Sequence, residues 1–316
     1  MSDDLVDYYR TFLVESGMEI AMSWTVVRGL SKPVTIEDVV RRMGGDLSTL
    51  AERPLEAAYD EYDTSRPMVH IAQPGPAVSI IENNGFQGTR NEMMRALSQD
   101  AVLHNVYWQV NGQDRIHYAV RGRQLAGAEL VDRDGMFWWG DDPPTLAPEV
   151  EALMDADPGP QRAVGMAVIE ARTGVQLEKA WFKLPQLSFL IPDPTVVDAT
   201  PEPPRDEGDP DLVAWLTFAD TVQRTRVREL LVDLLADRFD LERGRFHPDS
   251  FDDHRALVAD LESSGEPEQL AAARTVEVVD DEPANFDAAI VHSRSAFAEM
   301  WPDVRAAIVA IARGSS

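Results

Sequence analysis

The sequence predicts an α+β fold, an antiparallel sheet covered by helices and followed by a mostly α-helical C-terminal region. Three observations carry this expectation. Between Met68 and Val131 the apolar residues recur with a period of two, the pattern of a strand with alternating faces. The last of these runs are joined by Asn111-Gly112 and Arg121-Gly122, turns so short that the strands on either side must pair antiparallel. Beyond Leu212 the apolar spacing becomes helical.

Taken in order, Leu5, Tyr8, Tyr9, Phe12 and Leu13 predict an amphipathic helix over Asp3 to Val14 that stops at Gly17. Glu19 to Val27 follows as a strand with Ile20, Met22, Trp24 and Val26 on one face. Thr35 then caps a helix whose third residue is Asp38, a capping-box arrangement with Asp in place of Glu, closed by Gly44-Gly45. A second helix is expected over Ser48 to Tyr62. Val69 to Ala72 and Ala77 to Glu82 read as strands joined by a Gln-Pro-Gly-Pro turn, and Gly88-Thr89 opens a helix containing Met93, Met94 and Leu97. Ala101 to Val110 is a long strand with Val102, Val106, Trp108 and Val110 on one face. Arg115 to Val120 and Gln124 to Val131 complete a three-stranded meander, whose apolar face needs helices to cover it. Helices are expected over Pro148 to Met154, Gln161 to Arg172 and Gly174 to Leu184.

Residues 192–211 hold six prolines and seven acidic side chains and read as a linker. This gives three regions: an α+β domain over 1–191, the linker, and a helical domain over 212–316. Within the last, one long helix is expected over Leu212 to Phe239, two short ones over Asp252 to Leu261 and Pro267 to Arg274, and a late pair over Phe286 to Met300 and Pro302 to Arg313.

The chain of 316 residues carries 55 acidic and 29 basic side chains, a net charge of -26. Such a field repels phosphates and anionic lipid, and no basic run offsets it, so direct nucleic-acid binding is not expected. Only three of the basic residues are lysine (Lys32, Lys179, Lys183), a usage that suits a GC-rich genome. The absence of cysteine excludes disulfides, thiolate metal sites and a cysteine nucleophile. No apolar run is long enough to span a bilayer and the first residues lack a signal-peptide pattern, so the expected residence is cytoplasmic.

Several clusters could carry chemistry. The turn Glu82-Asn-Asn-Gly-Phe-Gln-Gly88 has glycines that permit positive backbone angles and free amides that could hold an anion, although it does not match a Walker A loop. The plainer reading is a tight strand-to-helix corner with Phe86 packed down as its anchor. His104 and His117 fall on neighbouring strands and could form a dyad for acid-base work. They are the only catalytic candidates. His247, Asp249, Asp252, Asp253 and His254 group together, but Pro248 breaks the helix that would let the two imidazoles converge on a metal. No metal or cofactor is expected. Trp138 and Trp139, in the run Met136-Phe-Trp-Trp-Gly-Asp-Asp142, either anchor a partner or close one end of the core. Candidate binding residues are therefore Asn84, Phe86, Gln87, Arg90, Trp138 and Trp139.

The segments Trp24-Thr-Val-Val-Arg-Gly-Leu30, Val39-Val-Arg-Arg-Met-Gly-Gly45, Glu82-Asn-Asn-Gly-Phe-Gln-Gly88, Val106-Tyr-Trp-Gln-Val-Asn-Gly112 and Trp139-Gly-Asp141, in that order and spacing, resemble an uncharacterised actinobacterial family of domains of unknown function. The resemblance covers roughly residues 18 to 184 and departs at Phe86, where the family commonly has tryptophan. It implies a bacterial cytoplasmic origin and no reaction. The expected role is a non-catalytic protein-interaction or regulatory module, such as an immunity-type partner of a basic protein. The alternatives are a hydrolase-like enzyme with a site assembled from distant His and carboxylate residues, and an acidic nucleic-acid mimic.

Overall fold

The computed structural model describes residues 3–60, 65–111, 113–130, 138–156, 161–194, 209–239, 290, 293–294 and 297–314. The chain divides into two compact units, Met1–Pro203 and Pro204–Ser316. The fold is α+β.

The first unit is built on one nine-stranded sheet. Its strands are β1 (Met22–Gly29), β2 (Ala51–Arg53), β3 (Met68–Ala72), β4 (Ala77–Asn83), β5 (Ala101–Trp108), β6 (Arg115–Val120), β7 (Arg123–Glu129), β8 (Trp138–Trp139) and β9 (Gln186–Leu190). They lie in the order β2-β9-β3-β4-β1-β5-β6-β7-β8, and every neighbouring pair is antiparallel. The expected meander is β5-β6-β7, with a register shift between Tyr118 and Ala119.

Both faces of the sheet are covered, so its central strands β1, β4 and β5 are buried at nearly every position. On one face, Trp24 packs against Tyr9 of α1 (Asp3–Ser16), ring centroids 5.9 Å apart. The same face takes α6 (Gln161–Thr173), whose Gly165 lies on the Val106 side chain; α5 (Ala147–Ala156) packs on α6. On the other face, Val27, Ile80, Val78 and Leu103 meet Val39, Val40 and Met43 from α2 (Ile36–Arg42) and its C-terminal end, with Met93, Met94 and Leu97 of α4 (Asn91–Leu97). The α2 start has the expected capping box, the Thr35 hydroxyl accepting from the Asp38 N–H and the Asp38 carboxylate from the Thr35 N–H.

Four expectations change. The helix expected over Ser48 to Tyr62 is not continuous: its described residues, to Asp60, form a 3₁₀ turn, β2 and the one-turn α3 (Ala57–Asp60). Residues 174–184 supply a 3₁₀ helix, Lys179–Lys183, and the unforeseen β9 follows, inserted between β2 and β3. Ile20 and Val110 fall outside β1 and β5 and are 61% and 72% exposed, so neither belongs to the inner face. In the second unit the expected long helix is two, α7 (Pro210–Phe218) and α8 (Thr221–Phe239). Asp220 interrupts it: its carboxylate accepts from the Gln223 N–H while the Gln223 side chain accepts from the Asp220 N–H, both at 2.7 Å, a reciprocal cap that starts a new helix.

The second unit also contains α9 (Trp301–Ala312), with Pro302 in its first turn as expected. Arg305 ties α9 to the start of α7 through Asp209 and through Asp211 at 2.9 Å, and the Arg313 guanidinium stacks 4.6 Å from the Trp215 ring. Met136, Phe137, the His247 to His254 cluster and the helices expected over 252–261 and 267–274 lie outside the described residues.

Candidate functional site

The face of the sheet shared with α2 and α4 turns from apolar to polar toward one end. Register places Ser23 opposite Glu82, Thr25 opposite Asn105, Asn105 opposite His117 and His117 opposite Gly127, a row of polar side chains on four strands that ends at a glycine of the fifth. The side chains of Glu82, Ser23, Thr25, Asn105 and His117 are all buried. Such a row demands internal partners, because a buried polar group without one costs about 1–3 kcal/mol.

At the left end the partner is the turn that follows β4. Glu82 Oε2 accepts from the Gln87 N–H at 2.6 Å and Oε1 from the Gly88 N–H at 2.7 Å. The acceptor held by these amides is thus the chain's own carboxyl group. The glycines of the turn serve space rather than backbone angle. A Cβ on Gly85 would lie 2.8 Å from Glu82 Cβ, and one on Gly88 would lie 2.9 Å from Thr25 Oγ1 and 3.0 Å from Glu82 Oε1. The positive angle falls instead on Asn84, with φ 57°, a conformation that Asn tolerates better than most residues. Burial pushes the Glu82 carboxyl up to about 7, against the pull of the two N–H bonds toward the ionised form.

In the middle, the Asn105 amide donates to Ser23 Oγ, Thr25 Oγ1 and the Trp24 carbonyl at 3.0, 2.8 and 3.3 Å. At the right end, the Gln124 amide meets His117 Nδ1 at 2.9 Å, and the Trp139 ring stands edge-on to the imidazole, 5.6 Å between centroids. Gly127 makes room for Trp139, whose indole would lie 2.4 Å from a Cβ there. Arg115 sits over the same indole and pairs with Glu129 at 3.0 Å.

His104 and His117 do not form a dyad. His104 pairs with Tyr118 and His117 with Asn105, so the two imidazoles occupy opposite faces of the sheet. His104 stacks on Tyr118 at 4.7 Å, on the face that carries α1 and α6. Burial holds both rings neutral, His117 down to about 3 and His104 well below its ordinary value with Arg172 adding to the effect. The period-two rule contained this answer, since residue pairs set the facing, but the register was needed to apply it.

The candidate binding residues divide. Asn84 and Phe86 stand exposed at the tip of the turn, and Phe86 is 48% accessible, not packed down as expected. Gln87 is buried and Arg90 is turned inward, donating to Gln87 Oε1 at 3.3 Å and to the Pro194 carbonyl. Trp138 and Trp139 are half-buried, and Trp139 is committed to Gly127 and His117. Glu82 was missed. The signal was an acid ending the apolar run Ala77–Ile81, with glycines three and six residues later.

Among the described residues no group of three or more His, Asp or Glu could hold a metal ion, and no helix is long and apolar enough to cross a membrane. No protein-family model, curated protein or solved structure matches the chain.

Proposed function

We propose that this protein is a non-catalytic interaction module that docks onto a basic protein through the Asn84–Phe86 corner, as an immunity-type or regulatory partner would. The observation that carries the reading is an exposed aromatic on a clamped turn. Phe86 presents about half its surface to solvent while the two residues after it are fixed by the buried Glu82 carboxyl. An aromatic side chain held in place before binding loses little entropy when a partner covers it, which is the character of an interface hot spot. The net charge of -26 supports a basic partner, because it speeds and orients encounter with positive surfaces. The opposed faces of His104 and His117 leave the acid-base alternative without its two principal residues on one site.

The test is affinity capture with the full chain from the native host, comparing wild type with Phe86→Ala at roughly 50 and 300 mM salt. A basic protein recovered in near-stoichiometric amount should fall about tenfold with Phe86→Ala and fall again with salt. The thermal midpoint should stay put, since an exposed substitution changes stability by only ~0.5 kcal/mol. Capture indifferent to both the substitution and salt would sink the reading.

A further inference from the structure

A cavity of about 360 Å³ opens beside the right end of the polar row, between α4, the turn joining β6 to β7, and the segment after β8. Its size falls within the range of small-molecule sites. The lining includes Met94 and Arg95 from α4, Arg123 and Gln124 from the start of β7, and Trp139 and Asp141.

The charges in it do not cancel. Arg123 Nε pairs with Asp141 at 2.9 Å, which accounts for the one carboxylate in the lining. Arg95, only partly exposed, has no ion pair and no side-chain hydrogen bond among the described residues. A half-buried guanidinium left without a carboxylate is unexpected in a chain with 55 acidic side chains, where acids outnumber bases almost two to one. Its planar fork of donors matches a carboxylate in two parallel hydrogen bonds. The rest of the lining fits a flat body: the half-buried Trp139 indole supplies apolar surface, and Gln124 is held by its bond to His117. The cavity is also built on fixed parts, since the Asp141 N–H bonds the Gln124 carbonyl at 3.1 Å and the Gly122 N–H bonds the Ser98 carbonyl at 3.1 Å.

We propose that this cavity binds a small, flat organic carboxylate, its charge taken by Arg95 and its body laid against Trp139. The proposal does not depend on docking at Phe86, and the two fail separately.

Titration of the ¹⁵N-labelled full chain with benzoate, benzamide and inorganic phosphate tests it, read at the Arg95 Nε–H, the Gln124 amide and the Trp139 indole N–H. Benzoate should shift all three signals saturably, while benzamide, the neutral counterpart, and phosphate should bind far more weakly. Arg95→Gln should weaken benzoate about tenfold or more, and Arg95→Lys, which keeps the charge but not the fork, should fall between. Unchanged backbone dispersion in both variants excludes misfolding as the cause. Absence of saturable benzoate binding, equal binding of benzamide or phosphate, or indifference to Arg95→Gln would each overturn the assignment.

Discussion

Glu82 is the residue at which opposing forces come closest to balance. Burial of a carboxylate costs several kcal/mol, and two charge-assisted N–H bonds return roughly 1.5–3 kcal/mol each. Burial wins by a modest margin, and the carboxyl titrates at about 7 instead of its ordinary 4.5. The folded protein therefore holds a proton that the unfolded chain releases, so stability from this group is complete below 4.5 and is lost as the pH rises through about 7. Comparing urea unfolding of wild type and Glu82→Gln from pH 4.5 to above 7 should show the wild type losing roughly 3 kcal/mol relative to the variant. A constant difference across that window would show that Glu82 keeps one protonation state. The buried His117 has the opposite sign, because its folded value is depressed; its contribution is present above 6.5 and lost as the pH falls toward about 3. The sequence indicated the corner around Glu82 through its glycines, but not the reason for them. Gly85 and Gly88 are there because the chain folds back over its own carboxyl, and the distance between a strand residue and amides five and six positions later is set only once the turn has closed.

Elements were readable where their signals are local. The Thr35 cap with Asp38, the stop at Gly17 and the Arg121-Gly122 turn, where both residues take positive φ, each lie within a few residues of the structure they specify. Gly165 shows what local signals omit. Within α6 it looks like a weak helix position, worth about 1 kcal/mol in favour of alanine. A Cβ there would lie 2.6 Å from Val106 Cγ2 and 3.0 Å from Leu130 Cδ1, so the glycine lets the helix settle onto the sheet. Val106 is β-branched and cannot easily turn aside. Overpacking of about 1–3 kcal/mol should exceed the propensity gain, and Gly165→Ala should be net destabilising by up to about 2 kcal/mol in denaturant unfolding. A stabilised variant would mean that α6 can move off the sheet at little cost. The missed β9 has the same origin as the missed role of Gly165. Ser188 pairs with Ala51 on one side and His70 on the other, and neither partner lies within a window that periodicity can inspect.

At the scale of the whole molecule, the charge of -26 acts on the compact state as self-repulsion as well as steering. Screening should relieve it, and the thermal midpoint should rise as sodium chloride goes from about 10 to about 150 mM, where the Debye length shrinks to about 8 Å. A falling midpoint in a calorimetric salt series would instead mark attractive pairs, such as Arg305 with Asp209 and Asp211, as the stronger contribution. The fold class, the antiparallel meander, the helices α1, α2, α4, α5, α6 and α9 and the sign of the surface field were legible in the sequence. These follow from periodicity, turn chemistry and a count of charges, all of which operate along the chain. Tertiary structure alone decided that His104 and His117 face apart, that Glu82 supplies the hydrogen-bond acceptor for its own turn, that Phe86 points outward and that Arg95 is left facing a cavity without an acidic partner among the described residues. Each of these depends on register or on a contact across the fold, and a one-residue change of register would reverse which side chains meet.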